Sequence, residues 1–190
     1  MGMPAAERRW TAREVRALIE ESPLATPRYE LVDGELLVTP SPGYPHQRAV
    51  GRLQYALAAY LERECVGEVL ASPFDVELEP ETITQPDLFV VSPEEGRRMQ
   101  RDGLPSFALL LTIEVLSPGS SRHDRVRKRP LYQRHVPEYW IVDLDARIIE
   151  RWKTGEDRPE IIDASLAWQP AGATSPFVLD VARYFAEVMA

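Results

Sequence analysis

Glu114 stands inside an apolar run, ALLLTIEVLSP (108–118), between Ile113 and Val115, and Asp87 opens a second such run, DLFVV (87–91). Carboxylates are among the side chains least often buried, because desolvating one without a partner is costly. Side chains alternate across a strand, so Glu114 shares a face with Thr112 and Leu116. If the two runs are antiparallel neighbours, the start of one lies beside the end of the other, and Asp87 meets Glu114 at one rim of a sheet. Two carboxylates so placed repel, and one titrates high unless positive charge lies between them. A hard divalent cation, Mg²⁺ or Mn²⁺, resolves the conflict, since it takes oxygen ligands from one or two carboxylates, waters and a substrate phosphate. The Val115 carbonyl is a further protein oxygen at the same place. A metal held there polarises a phosphodiester and orients or deprotonates water. Such chemistry recruits a fixed cation as well, and Lys128 follows Glu114 by one turn and one helical segment.

These residues need elements to position them. TAREVRALIEE pairs Thr11 with Glu14 at capping-box spacing, which predicts a helix over about 12–21. YELVDGELLVT reads as a hairpin turning at Asp33-Gly34. Val50, Leu53, Leu57 and Leu61 recur three or four apart and predict an amphipathic helix over 47–64. VLASPFDVELE reads as a strand or strand pair, 87–91 and 107–116 as strands, 92–105 as a polar segment, and SPGSSRHD as a turn. DRVRKRPLYQRH is helical in pattern except for Pro130. YWIVD and ARIIERWK are two more strands, and PFVLDVARYFAEVM a C-terminal helix. The pattern is an α/β unit (an α+β mixed sheet) in a single domain over 1–190.

The net charge of −8 argues against a whole-surface attraction to nucleic acid or anionic membrane, so any such contact is local or made through metal. No run approaches the ~20 apolar residues that span a bilayer, and MGMPAAERRWTAREV carries no signal-peptide core, so the expectation is a cytoplasmic protein without a membrane. Cys65, the one cysteine, reads as a small buried residue in a helix-like segment. The run Arg122, Arg125, Arg127 around Lys128 is either a phosphate-contacting groove or a solvated helix face. Gly-rich phosphate loops, G-x-S-x-G, H-E-x-x-H and paired cysteines are all missing from the sequence.

Pro86-Asp87 followed by a strand bearing Glu114 resembles the PD-(D/E)XK restriction-endonuclease-like superfamily. The string IEVLSPGSSRHDRVRKRPLYQRHVPEYWIVD, with YELVDGEL and QPDLFVV upstream, resembles the Uma-two family within it. The resemblance implies a restriction-endonuclease-like core, αβββαβ, over about 29–153, with an N-terminal helix and hairpin before it and a C-terminal helix after it. It implies metal-dependent hydrolysis of DNA, with Asp87 and Glu114 as ligands, and a homodimer. The superfamily's lysine usually stands two residues after the glutamate, where this chain has Leu116. The Uma-two pattern looks like a lysine migrated to the following helix, and Lys128 matches it. His135 replaces the family's usual glycine before VPEYW. The superfamily's further acid near the first core helix leaves Glu35, His46 and Glu30 as candidates. Glu138 and Asp143 read as structural. A nuclease fold kept as a non-catalytic binding or regulatory module is the alternative.

Overall fold

The structure, a computed structural model, describes residues 8–22, 24, 26–102, 108–117 and 120–190. Residue 107 of the expected strand, residues 103–105 of the polar segment and residues 118–119 of the expected turn lie outside the described residues.

Thr11 opens helix α1 (Ala12–Glu21) with both arms of the capping box in place, and α1 packs on a hairpin of β1 (Arg28–Val32) and β2 (Glu35–Thr39). Asp33 and Gly34 turn that hairpin with φ of 52° and 77°. The long helix α2 (Tyr44–Glu64) buries Val50, Leu53, Leu57 and Leu61, the stripe that its spacing predicts. It ends at Cys65 in the left-handed conformation, φ 56°. Cys65 is exposed, against the expectation of a buried residue. The position is set by the helix C-cap, where the Cys65 N–H returns to the last carbonyls of α2, and not by packing.

After β3 (Glu68–Ala71), the segment to residue 86 is mostly irregular, held by an isolated bridge between Val76 and Thr84. β4 (Leu88–Val91) follows, then α3 (Pro93–Asp102), in place of the expected polar segment. The sequence of α3 has no apolar stripe. Its start signals decide the matter: the Ser92 hydroxyl accepts from the Glu95 N–H at 3.2 Å, and Glu94 and Glu95 occupy the first turn.

β5 (Leu109–Val115) leads into a continuous helical run of α4 (Ser121–His123), a π-turn (Asp124–Lys128) and α5 (Arg129–His135). β6 (Glu138–Asp143), β7 (Ile148–Lys153) and β8 (Glu160–Ile162) complete a six-stranded sheet ordered β3-β4-β5-β6-β7-β8. Only β5 and β6 are parallel among its neighbours, and the helical run is the crossover that a parallel pair requires. The order α2, β3, β4, β5, crossover helix, β6 is the αβββαβ core. β9 (Ser165–Trp168) and β10 (Phe177–Asp180) pair separately. The expected C-terminal helix is therefore shorter, α6 (Val181–Met189), capped by the Asp180 carboxylate.

Side chains alternate between the two faces of the sheet, except at a register shift where Val90 pairs with Leu111 and Val91 with Leu109. Leu88, Val90, Leu111, Ile113 and Trp140 pack with α2 and α6 on one face. Phe89, Val91, Leu116, Tyr139 and Ile141 pack with Leu131, Tyr132 and the hairpin's Val32 and Leu37 on the other. Among the described residues, no helix is long and apolar enough to cross a membrane.

Gly67 joins α2 to β3, and a Cβ there would press on the Val91 carbonyl oxygen of β4, a backbone atom that cannot swing aside. Gly67→Ala should therefore cost about 1–3 kcal/mol by forcing the edge strand outward. Gly51, within α2, has open space around its Cα, so Gly51→Ala should stabilise by about 0.5–1 kcal/mol. Urea unfolding of the two variants checks the pair, and a Gly67→Ala protein as stable as the parent would refute the packing argument.

Candidate active site

The β4–β5 register brings Leu88 opposite Ile113, so the next pair along is Asp87 and Glu114. The Asp87 N–H lies 3.4 Å from Glu114 Oε2, at the sheet rim that the alternation argument indicates. Both side chains lie on the face covered by the hairpin and the crossover helix. Three further elements converge on them.

The hairpin supplies Arg28 and Glu30, which alternate onto one face of β1. Arg28 Nη1 donates to Asp87 Oδ1 at 2.8 Å, to the Gln85 carbonyl at 3.1 Å and to Ser72 Oγ at 3.2 Å. Glu30 Oε1 accepts from the Gln85 N–H at 2.7 Å. The first turn of α2 supplies His46, whose Nε2 is 3.0 Å from Asp87 Oδ2. A carboxylate only accepts, so Nε2 carries the proton in this pair.

The crossover supplies Asp124 and Lys128, one turn apart. In a regular α-helix the Pro130 ring would meet the Val126 carbonyl. Immediately before Pro130 the chain widens into the π-turn instead, and the Arg129 N–H reaches back to the Asp124 carbonyl. The departure that Pro130 introduces thus sits where Asp124 and Lys128 face the sheet. Lys128 Nζ donates to Glu114 Oε1 at 3.0 Å, and forms ion pairs with Glu30 Oε2 at 2.9 Å and Asp124 Oδ1 at 3.1 Å. The Tyr132 hydroxyl donates to Glu114 Oε1 at 3.2 Å. Lys128 is 1% exposed, and the cluster's carboxylates, Glu30, Asp87, Glu114 and Asp124, are at 4% or less, so water does little of the charge compensation.

Burial alone would push the Lys128 ammonium down, but the carboxylates of Asp124, Glu114 and Glu30 outweigh it and hold the group well above the usual lysine value. Burial would raise Asp87. His46, Arg28 and the Val115 N–H more than offset it, leaving Asp87 well below the usual carboxylate range. Glu114 goes the other way. Burial raises it, Lys128 pulls it down, and the nearby charges of Asp124, Asp87 and Glu30 leave it well above its ordinary value. One acid of the pair is firmly ionised and the other is held back from ionising.

The sequence-predicted residues are partly assembled here. Asp87, Glu114, Lys128, Glu30 and His46 come together. Glu35 does not: it pairs with Arg127 at 2.7 Å, both partly exposed. Arg125 is tied to Asp143 at 2.6 Å and to Glu150, and Arg122 is exposed. Val115 meets the site through its N–H, 2.9 Å from Asp87 Oδ2. Glu138 and Asp143 serve structure, accepting from the Trp140 indole and from Arg125. Arg28 and Asp124 escape the sequence reading. Their signals are present, as Arg28 stands two residues before Glu30 on a strand and Asp124 four before Lys128 on a helix.

The donors suit a hard cation: buried carboxylate oxygens from four positions, with Asp124 Oδ2 lacking any hydrogen-bond partner. Among the described residues, no three acidic, histidine or cysteine side chains already converge as a metal site. In this arrangement Lys128 stands between Glu30, Glu114 and Asp124. The donor set fits Mg²⁺ or Mn²⁺ in kind.

A family model, Uma2, described as "Putative restriction endonuclease", matches residues 17–176. Among solved structures, the chain is similar to "a putative nuclease belonging to DUF820" from Anabaena variabilis, with a TM-score of 0.72 and 19% identity, covering 90% of this chain and 96% of that one. At that identity the likeness establishes the fold. No curated protein matches.

An acid whose folded pKa lies above its unfolded value of about 4.3 costs stability as pH rises past that value, and the cost is complete above the folded pKa. Glu114 is such an acid. Glu114→Gln keeps an acceptor for Lys128 and Tyr132 and removes the cost, so it should melt about 2–4 °C higher than the parent at about pH 8. The difference should shrink toward zero at about pH 4. Thermal unfolding across pH checks this, and a variant that melts lower at both ends would contradict the assigned direction.

Proposed function

The chain belongs to the Uma2 family, and on that premise we propose that it is a divalent-metal-dependent endonuclease hydrolysing DNA phosphodiester bonds. Its nuclease character comes with the family. The metal, the substrate and the residue roles are our reading of the site. The observation that carries it is the convergence of Asp87, Glu114 and Lys128 from three separate elements into one buried cluster.

Charge balance supports the metal. Once Glu114 ionises, Glu30, Asp87, Glu114 and Asp124 face two fixed cations, Arg28 and Lys128, and the two negative charges left over match a divalent ion. Asp87 and Glu114 would hold it, with the Val115 carbonyl, Glu30 or His46 as further donors. Bound Mg²⁺ or Mn²⁺ would supply a Lewis acid for a phosphate oxygen and a water of lowered pKa.

The chain's own residues do the rest. Arg28, His46 and the Val115 N–H fix the Asp87 carboxylate in orientation and keep it ionised. Lys128, held protonated by its three carboxylates, has no lone pair to take a proton from water. Its part is electrostatic: a positive charge preorganised beside Glu114, where a phosphate in transfer gains negative charge. Tyr132 donates to the same Glu114 oxygen and restrains that side chain from the α5 side.

One observation favours the second reading, a nuclease fold kept as a binding or regulatory module: Lys128 and Arg28 already engage the carboxylates in internal ion pairs. Nicking of supercoiled plasmid separates the two. With Mg²⁺ or Mn²⁺ the parent should nick and with EDTA it should not. Glu114→Ala and Lys128→Gln should each lose about 10²–10³-fold. No nicking by the parent over a range of metals and concentrations would favour the binding module. Equal nicking by parent and Glu114→Ala would remove Glu114 from the mechanism.

A further inference from the structure

A pocket of about 490 Å³ opens beside the carboxylate cluster. It shares two residues with that cluster's surroundings. His46, whose Nε2 contacts Asp87 at 3.0 Å, forms part of its wall, and so does Leu116, two residues beyond Glu114 on the same strand face. An occupant is thus one side chain away from Asp87. The size falls within the ~300–1,000 Å³ of small-molecule sites.

The lining says what would bind. Pro45, Leu116, Leu144 and Met189 give it apolar walls of the kind on which a flat ring rests. Among the described residues that line it, Arg125 alone carries fixed positive charge, and that guanidinium is committed to Asp143 at 2.6 Å, to Glu150 at 2.6 Å and to Ser121 Oγ at 3.0 Å. Asp145 stands exposed in the same lining. A phosphate finds acidic groups and a neutralised arginine there, so the pocket is unsuited to the backbone of a nucleic acid. A nucleobase is different: it is flat, uncharged, and carries N–H donors that acidic side chains accept.

We propose that this pocket takes one unpaired nucleobase of the strand whose phosphodiester lies at Asp87 and Glu114, so that the preferred substrate is nucleic acid with single-stranded character at the cut. The inference rests on the endonuclease reading for its second half; the pocket's selectivity for a base stands without it. A base inside a duplex is stacked and paired and cannot enter, and extruding one costs a few kcal/mol that an unpaired base does not require. A single-stranded, gapped or bulged site therefore reaches the cluster at lower cost than an intact duplex.

The test uses the full chain and two variants at the pocket, Ala146→Trp on the exposed β6–β7 turn and Met189→Trp at the end of α6, both outside the Glu30, Asp87, Glu114 and Asp124 cluster; the one carboxylate contact of Ala146, its N–H to Asp143 Oδ1 at 2.9 Å, is made by the backbone and is kept in the variant. Equilibrium binding is measured for deoxyadenosine 5′-monophosphate and for deoxyribose 5-phosphate in EDTA. The nucleotide should bind at least tenfold more tightly, and each variant should lose at least tenfold of that affinity while melting like the parent. Metal-dependent cleavage should be at least tenfold faster on a duplex with an unpaired base than on a fully paired one, and the variants should lose that preference. Equal binding of the two probes, unchanged nucleotide binding in both variants, or equal cleavage of the two duplexes would overturn the proposal. Base-selective binding that both variants abolish, in a protein that cuts neither duplex, would uphold the base pocket and remove the endonuclease reading instead.

Discussion

A buried ammonium is the constraint around which this site is built. Taking a lysine out of water costs several kcal/mol, and a single counter-ion seldom repays it. Lys128 has three, and they come from different parts of the chain: Glu30 from the hairpin, Glu114 from the central sheet and Asp124 from its own helical turn. All three meet at one ammonium, which ties the hairpin, β5 and the crossover helix into register with one another. Asp87 performs the same service for two other segments, joining Arg28 of β1 to His46 of α2. The cluster is therefore both the candidate active site and the joint that holds the hairpin against the sheet.

The sheet contributes precision of a different kind. Antiparallel pairing of β4 and β5 fixes Asp87 opposite Glu114 by backbone hydrogen bonds, independent of what the side chains prefer. The carboxylates would move apart if they could. Held together, they express their conflict as opposite displacements of acidity, Asp87 downward under His46 and Arg28, Glu114 upward under burial and its acidic neighbours. A site with this residual strain has an electrostatic reason to accept a divalent cation.

How much of this could be read in advance follows from which signals are local. Alternation along a strand is local, so the faces of Asp87 and Glu114 and their meeting at the rim were legible, as was the amphipathic stripe of α2. The αβββαβ core was legible through the string around EVLSP and VPEYW. Asp124 and Arg28 were not picked out, because a charge among other charges, in DRVRKR or in PRYEL, looks the same whether it faces water or a buried lysine; only the tertiary fold distinguishes them. The same ambiguity explains Glu35, which stands on the hairpin as Glu30 does, yet pairs outward with Arg127. Helix α3 was missed for want of an apolar stripe, although Ser92, Pro93 and two glutamates mark its start. Cys65 was misjudged because a C-cap residue is placed by backbone geometry and not by hydrophobicity.

The position two residues after Glu114 ties these observations together. Glu114 and Leu116 share a face, so a lysine at 116 would project beside Glu114 from the strand itself. Here the ammonium arrives from the crossover helix, and the widened turn before Pro130 is what lets it reach inward beside Asp124. Position 116 is thereby free to be apolar, and Leu116 both packs under α5's Leu131 and Tyr132 and lines the pocket next to His46. Supplying the ammonium from the crossover helix thus has two structural consequences. It anchors the crossover helix to the sheet through a buried ion pair, and it leaves an uncharged wall at the strand end, immediately beside the carboxylates, where a base rather than a phosphate is the ligand that the surface can accommodate.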